Sequence, residues 1–506
     1  MSQSSTPAGL TTHPETVPAP DPAYEPGYDE RGYRYRWMVM TVVILADVMD
    51  LLDATIANLA GPSIRRDIGG GESTLQWILA AYTLTFAVGL ITSARLGDLV
   101  GRRRMFLVGM VGFTVASLLC GLAPSAGLLI AARVAQGLFG ASMIPQGLAM
   151  VRASFHPDDL QKAFIPFGPV MGLSAVLGPI LAGFLIDADL FGSSWRAIFW
   201  INVPVGAVAA YIAWRYLPRN LHRDPGARLD LVGASLLTVA SVLLIYPLVQ
   251  GREQGWPAWM FLMLAGAVVF FGAFVVSERR STHPVIEPTL FGHGQFVMGL
   301  VFLGTFFTAM SGFNLAGNLF IQYGLRYSPL HTGLTMVPLA LGISVGAAAS
   351  GAFLGPRFGR TVLHAGLLIS VLGLLAMWWT IGHQGLALTG WQLAPSFAVM
   401  GLGMGLIFAP LFDIILAALG DREVGTGSGL LNAVQQFCGA LGVAVLGSAF
   451  FHWLPEHGFV TAIRWLTLLS AACFAVAFLV VFLLPSRAAD RAREVSVSAG
   501  DGGACE

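Results

Sequence analysis

The stretch ILADVMDLLDATIANLAGP, residues 44–62, sets Asp47, Asp50 and Asp53 three residues apart inside an otherwise apolar run. A carboxylate in hydrocarbon is costly to keep ionised, and a nearby guanidinium favours the ionised form. Such a group can therefore load and release a proton near neutral pH as a cavity opens alternately to two sides. A second apolar run, LIAARVAQGLFGASMIP, supplies a guanidinium in the same setting: Arg133, which must face a partner or a wet cavity. A purely structural ion pair would meet that need. On a helix the three aspartates fall within an arc of about 120°, so one face of this segment is acidic and must line a cavity.

Other polar residues sit near or within apolar runs. Asp413, in APLFDIILAAL, is either a second proton or cation site or an interfacial carboxylate that water reaches. Asn314, Asn318 and Gln322 recur at helical spacing, as do Asn432 and Gln435, and with Gln136 they are candidates to line a cavity; tying helices together is their alternative use. In GDLVGRRR, residues 97–104, Gly101 permits a tight turn, Asp98 can pair with a cation or a helix end, and the arginines hold the turn on one side of a membrane. GLGMG and GTGSG are followed by no Lys-Ser/Thr and preceded by no strand, so a phosphate loop is not expected. The ten histidines show no metal-ligand pattern, and no catalytic or cofactor constellation points to an enzyme.

The elements that carry these residues follow from composition. Of 506 residues 55% are hydrophobic and only 11% charged, with a mean hydropathy of +0.71, which excludes an ordinary soluble domain. Zero formal net charge and a pI near 7.2 give no electrostatic case for a nucleic-acid partner. A bilayer core needs about 20 helical residues per crossing, and cutting at polar or Gly/Pro-rich connectors yields about fourteen spans, the first over 37–59 and the last over 463–485. An even number puts both termini on one side. Most of the 28 basic residues fall on that side, so the termini are expected in the cytoplasm. Cys120, Cys438, Cys473 and Cys505 lack pairing or metal-ligand spacing and read as free thiols.

Three segment pairs match weakly at an offset of about 260 residues: 73–84 with 328–339, 94–104 with 352–362, and 140–145 with 405–410. Two six-helix halves with an inserted helical pair account for this pattern. The expected organisation is a disordered tail over 1–36, a six-helix bundle over 37–217, a linker with two extra helices over 218–292, a second bundle over 293–485 and a tail over 486–506.

The motifs resemble those of a known family. RLGDLVGRRRMFLVG is similar to the cytoplasmic-loop motif of the major facilitator superfamily, which implies that Gly97, Asp98, Gly101 and Arg102 help latch the cytoplasmic side; the matching acidic position in the second half is Pro356. The run around Arg133 resembles the superfamily's fourth-helix motif, whose arginine is implicated in proton coupling. SAVLGPILAG resembles the antiporter motif of drug:proton exporters, with Ser174, Gly178, Pro179 and Gly183 at its positions; close packing of small residues is the other reading. LDATIANLAGP and WRAIFWINVPVG are similar to signatures of the fourteen-helix drug:proton antiporters of the QacA/EmrB type, and four motifs fall in order along residues 37–485.

The resemblance implies an all-α polytopic protein of major facilitator fold in a bacterial inner or plasma membrane. It implies a proton-coupled exporter of lipophilic drugs, antibiotics or natural products, cationic ones included, working by alternating access without a cofactor beyond the proton gradient. Asp53, which alone of the three aspartates lies in the signature, becomes the first choice for the coupling carboxylate, with Arg133 as its partner. A proton-linked transporter of one metabolite is the alternative within this class, and a non-transporting receptor or scaffold the alternative outside it. The expected partners are a small lipophilic substrate, protons and lipid, with a periplasmic adaptor left open. Near-exclusive use of Arg over Lys, with abundant Ala and Gly, suggests a GC-rich bacterial genome.

Overall fold

A computed structural model describes residues 28–29, 32–156, 159, 167–218, 230–281, 286, 288–419 and 423–484. Most of the two expected tails, the connector 219–229 and Cys505 lie outside these residues. The end of the first expected tail is ordered: Tyr28–Asp29 (β1) pairs antiparallel with Gly32–Tyr33 (β2), and Gly32 bridges to Phe155. Tyr35 packs against Tyr216 with ring centroids 5.2 Å apart, which gives these residues a partner that a tail would lack.

The rest is helical. The helices are α1 (Arg36–Ile68), α2 (Glu72–Val100), α3 (Arg102–Leu122), α4 (Ala126–Ser154), α5 (Phe167–Asp187), α6 (Asn202–Tyr216), α7 (Leu231–Gln250), α8 (Ala258–Arg280), α9 (Gly294–Leu319), α10 (Pro329–Ala349), α11 (Arg360–Gln384), α12 (Gly390–Leu416) and α13 (Val424–Val481). Among the described residues eleven helical segments are long and apolar enough to cross a membrane. The face at which α1 begins is termed proximal below and the face at which it ends distal.

Local chemistry sets the helix ends. The side chains of Ser125, Asp230 and Ser328 accept from backbone N–H groups at the starts of α4, α7 and α10, and Thr389 with Gln392 forms a capping box at α12. Gly101 at φ 105° turns the chain from α2 into α3, and Gly359 at φ 54° makes the corresponding turn into α11. Gly458 at φ 73° breaks the 58-residue α13, which is too long for one crossing, into two arms.

Packing falls into two sets. α4 lies against α2 and α3, α1 against α5 and α6, and α3 against α6; in the second set α9 and α11 lie against α13, and α10 and α11 against α12. The sets meet along two seams, α5 with α10 and α2 with α13. The α7–α8 hairpin packs on itself and, through α7, on both α2 and α13. Equivalent hydrogen bonds recur in the two sets: Ser93 Oγ donates to the Ala141 carbonyl at 2.7 Å, and Ser350 Oγ to the Leu406 carbonyl at 2.9 Å. Arg103 donates to the carbonyl of Trp214, as Arg360 does to those of Phe482 and Leu484, so a basic side chain caps the closing helix end of each set.

Candidate functional site

Arg133 on α4 is 1% exposed and Asp53 on α1 is 3% exposed, so each charge depends on the other. Arg133 Nη1 donates to Asp53 Oδ2 and, at 2.8 Å, to Gln136 Oε1, while its Nε donates to the Ile78 carbonyl at 3.1 Å. Gln136 Nε2 donates to Asp53 Oδ1 at 2.8 Å, and Asn202 Nδ2 reaches the same oxygen at 3.4 Å. Asn202 also donates to Ser117 Oγ at 3.0 Å, which passes its own proton to the Phe199 carbonyl at 2.9 Å. Both carboxylate oxygens are thus engaged, which is the condition for keeping an ion pair so far from water.

The acidic face of α1 does not line a cavity uniformly, contrary to the expectation from spacing. Asp53 turns into the helix packing toward Arg133, whereas Asp50 and Asp47, one and two turns nearer the proximal face, are half-buried. Tyr82 on α2 connects the two environments. Its hydroxyl donates to Asp50 Oδ1, and its ring lies 4.2 Å from the Arg133 guanidinium carbon. Sequence reading missed Tyr82, Asn202 and Ser117. Asn202 sat in the WINVPVG signature and was open to notice; Tyr82 and Ser117 acquire their roles only through the α2–α4 and α3–α6 contacts.

The other expected residues scatter. Gln136 is fully buried in the ion-pair network and lines no open cavity there, because its amide is used on both Asp53 and Arg133. Asp413 is exposed and stays outside this network. Asn318 is buried and donates back to Asn314 on its own helix at 3.0 Å, Asn432 donates to the Ser428 carbonyl at 3.0 Å, and Gln435 is half-buried. Asp98 at the end of α2 and Arg102 at the start of α3 pair with each other at 3.0 Å across the Gly101 turn, both about a third exposed, so in this conformation the expected latch closes on its own loop. Gly97 and Gly101 are buried behind it.

The antiporter motif lies at a seam. Gly178 faces Thr55 of α1, and Gly183 is so close to α10 that an added Cβ would lie 2.5 Å from Leu330 Cα. Gly333 of α10 approaches the Pro179 carbonyl just as tightly, and Ser174 donates to the Val170 carbonyl of its own helix at 2.8 Å. Helices in lipid associate through such close packing and hydrogen bonds, since the bilayer is itself apolar. The two sets are tied toward the distal face: Gln322 Nε2 donates to the Leu59 carbonyl at 2.8 Å, Tyr323 to the Pro62 carbonyl at 3.4 Å, and Asp187 accepts from Ser328 Oγ and Leu330 N at 2.7 and 3.1 Å. A distal cleft of about 780 Å³ opens between them.

At its rim, beyond the membrane core, Asp67 accepts from Trp195 Nε1 at 2.9 Å and from Arg196. The Trp195 indole, with Arg196, holds its carboxyl below the usual carboxylate range. Among the described residues no group of His, Cys, Asp and Glu is arranged to hold a metal.

Comparison with known proteins agrees with this arrangement. The family model described as Major Facilitator Superfamily matches residues 43–443. The chain is 49% identical over 449 residues to the "Probable actinorhodin transporter" of Streptomyces coelicolor, covering 88% of this chain and 77% of that protein. It is 36% identical to the puromycin resistance protein pur8 of Streptomyces alboniger, covering 84% of each. Among solved structures, a POT family transporter in complex with 5-aminolevulinic acid superimposes with a TM-score of 0.64 at 15% identity, over 89% of this chain and 97% of that one.

Proposed function

Because the chain belongs to the major facilitator superfamily, we propose that it is a proton-coupled antiporter that exports lipophilic antibiotics or other natural products, of the fourteen-helix QacA/EmrB type. The observation that carries this reading is the enclosed Asp53–Arg133 pair, joined through Tyr82 to the half-buried Asp50 and Asp47. Two relatives named for transport of, or resistance to, Streptomyces antibiotics support the substrate class. Support for fourteen traverses comes from adding acid-rich α1, α5 and the second arm of α13 to the eleven apolar segments. The packing sets correspond to bundles over 37–217 and 293–485, with an inserted pair over 218–292.

The proximal face is the cytoplasmic one in this reading, since Arg102, Arg103, Arg104, Arg279, Arg280, Arg357 and Arg360 all cluster at helix ends there. The substrate enters between the bundles from that side and meets Asp47 and Asp50, whose carboxylates suit a protonated amine or a phenolic or carboxylic O–H. A protonated carboxyl loses its claim on the guanidinium, so proton uptake loosens the Asp53–Arg133 pair and substrate binding restores it. The two ligands thus bias the same pair in opposite directions, which is the free-energy coupling that exchange requires.

The test is transport in proteoliposomes under an imposed pH gradient, across a panel of lipophilic antibiotics, with a pH-sensitive dye recording proton flux. Substrate movement accompanied by opposite proton movement, and abolished by a protonophore, is expected. Substrate movement with no proton flux overturns the coupling. Full gradient-driven transport by the folded fraction of Asp53→Asn removes Asp53 from it.

A further inference from the structure

We propose that the distal cleft is a second ligand subsite, one that takes the ionised end of a weakly acidic, hydroxylated aromatic compound; this rests on the export reading and names the substrate chemistry within it. The cleft's volume of about 780 Å³ suits one drug-sized molecule. Both packing sets line it, Pro62 and Arg66 from α1 and Gln322, Tyr323, Arg326 and Tyr327 from the segment after α9.

The acidic and basic side chains of the lining differ in pairing rather than in number. The acids are each hydrogen-bonded within the protein: Asp67 to Trp195 and Arg196, Asp187 to Ser328 and Leu330, and Asp189 to the Ser194 backbone N–H at 2.7 Å. Arg66 reaches only its own helix, donating to the Pro62 carbonyl at 3.4 Å and to Ser63 Oγ at 3.2 Å, and neither it nor the exposed Arg326 has a carboxylate partner among the described residues. Two guanidinium forks therefore face a cleft whose acids are already engaged, the arrangement that binds carboxylate or phenolate oxygens.

The backbone beneath is unusual at the same place. Phe320–Gly324 forms a π turn, and Arg326 sits at φ 59°, a left-handed conformation that a residue with a Cβ adopts at a cost. Tyr323 and Tyr327 also line the cleft, the latter stacked on His331 with ring centroids 3.9 Å apart, and give it aromatic surface. A weak acid suits both ends of the path: as the neutral O–H form it donates to Asp50 or Asp47, and as the anion it is held by Arg66 and Arg326. Because the walls come from both sets, occupancy favours the distal-closed shape, and an acid added on the distal side slows export.

Equilibrium binding tests this on the full chain in nanodiscs of phosphatidylcholine, with 1-pyrenebutyrate and the neutral 1-pyrenebutanol as fluorescent probes and empty nanodiscs subtracted. We expect the acid to bind about tenfold more tightly than the alcohol. Arg66→Gln with Arg326→Gln should erase that preference while leaving alcohol binding unchanged, and the two Lys replacements should keep part of it. Equal binding of both probes by the natural chain, or acid binding unaffected by the double Gln variant, overturns the proposal. So does displacement of the acid when phosphatidylglycerol is added to the nanodiscs, which would make a lipid headgroup the occupant. The readout needs no proton gradient: a retained acid preference without proton-linked transport sinks the export reading alone.

Discussion

Replacing Gly183 by alanine should shift the protein toward a distal-open shape. The added Cβ would lie 2.5 Å from Leu330 Cα and 2.7 Å from both Leu330 N and the Pro329 carbonyl oxygen, all backbone atoms that cannot rotate away. Ordinary contact starts near 3.4 Å, so α5 and α10 must separate locally by about 1 Å. The same displacement carries Asp187 out of reach of Ser328 Oγ and Leu330 N, now at 2.7 and 3.1 Å. Two solvent-exposed hydrogen bonds are together worth about 2 kcal/mol, which shifts the closed-to-open ratio about thirtyfold. Spin labels at the exposed Phe191 and Leu386, one on each side of the distal face, would report the separation by pulsed electron resonance. Gly127→Ala is the control, since nothing lies within 4 Å of a Cβ there. A distance distribution for Gly183→Ala that matches both the control and the natural chain would refute the argument that this seam holds the distal face shut.

The buried pair makes a second prediction. Arg133→Gln leaves Asp53 enclosed without its counter-charge and should cost about 3–5 kcal/mol of stability, whereas adding Asp53→Asn to it should recover part of that loss; denaturant unfolding that shows simple additivity would contradict the pairing. A third concerns Asp67, whose carboxyl the Trp195 indole and Arg196 hold below the ordinary range. A lowered native value means that its stabilisation is present above the unfolded carboxyl value and fades as pH falls through the folded one. The melting-temperature gap between the natural chain and Asp67→Asn should therefore be steady near pH 7 and close only in acid, and a gap that widens on acidification would reverse the sign.

Sequence and structure agree unevenly, for physical reasons. Apolar runs of bilayer length announce the helices because a continuous apolar run satisfies its backbone in lipid only by bonding within itself, and a charged residue inside such a run demands a partner. That logic marked Arg133 and all three aspartates, and only the resemblance to a family signature preferred Asp53, which the structure pairs with Arg133; the matched segments 94–104 and 352–362 carry Gly101 and Gly359, which make twin turns. Direction around the helix was less accessible. Three residues at equal spacing look alike in a string, yet the packing of α1 against α4 sends Asp53 inward and leaves Asp50 and Asp47 half-buried. Amides were harder still: Gln136, Asn318 and Gln322 serve an ion pair, a helix and a seam respectively, and only their neighbours distinguish these uses. The loop motif was readable as Asp98 and Arg102, but that they pair with each other across the Gly101 turn is seen only in the structure.

The α7–α8 hairpin makes the two seams unequal. Beside α2 and α13 the turn after α7 is fastened to the start of α2, where Glu253 accepts from Ser73 N and Oγ at 2.8 and 2.6 Å and Arg252 pairs with Glu72. On its other flank Ser448 of α13 donates to the Leu248 carbonyl at 2.6 Å. A compound dissolved in the bilayer would have to pass a fastened pair of helices on that side. At the α5–α10 seam the hairpin is absent, and the helices meet directly at Gly183 and Gly333. The hairpin thus covers one of the two seams and leaves the other uncovered by it, so the two flanks of the molecule present different surfaces to their surroundings.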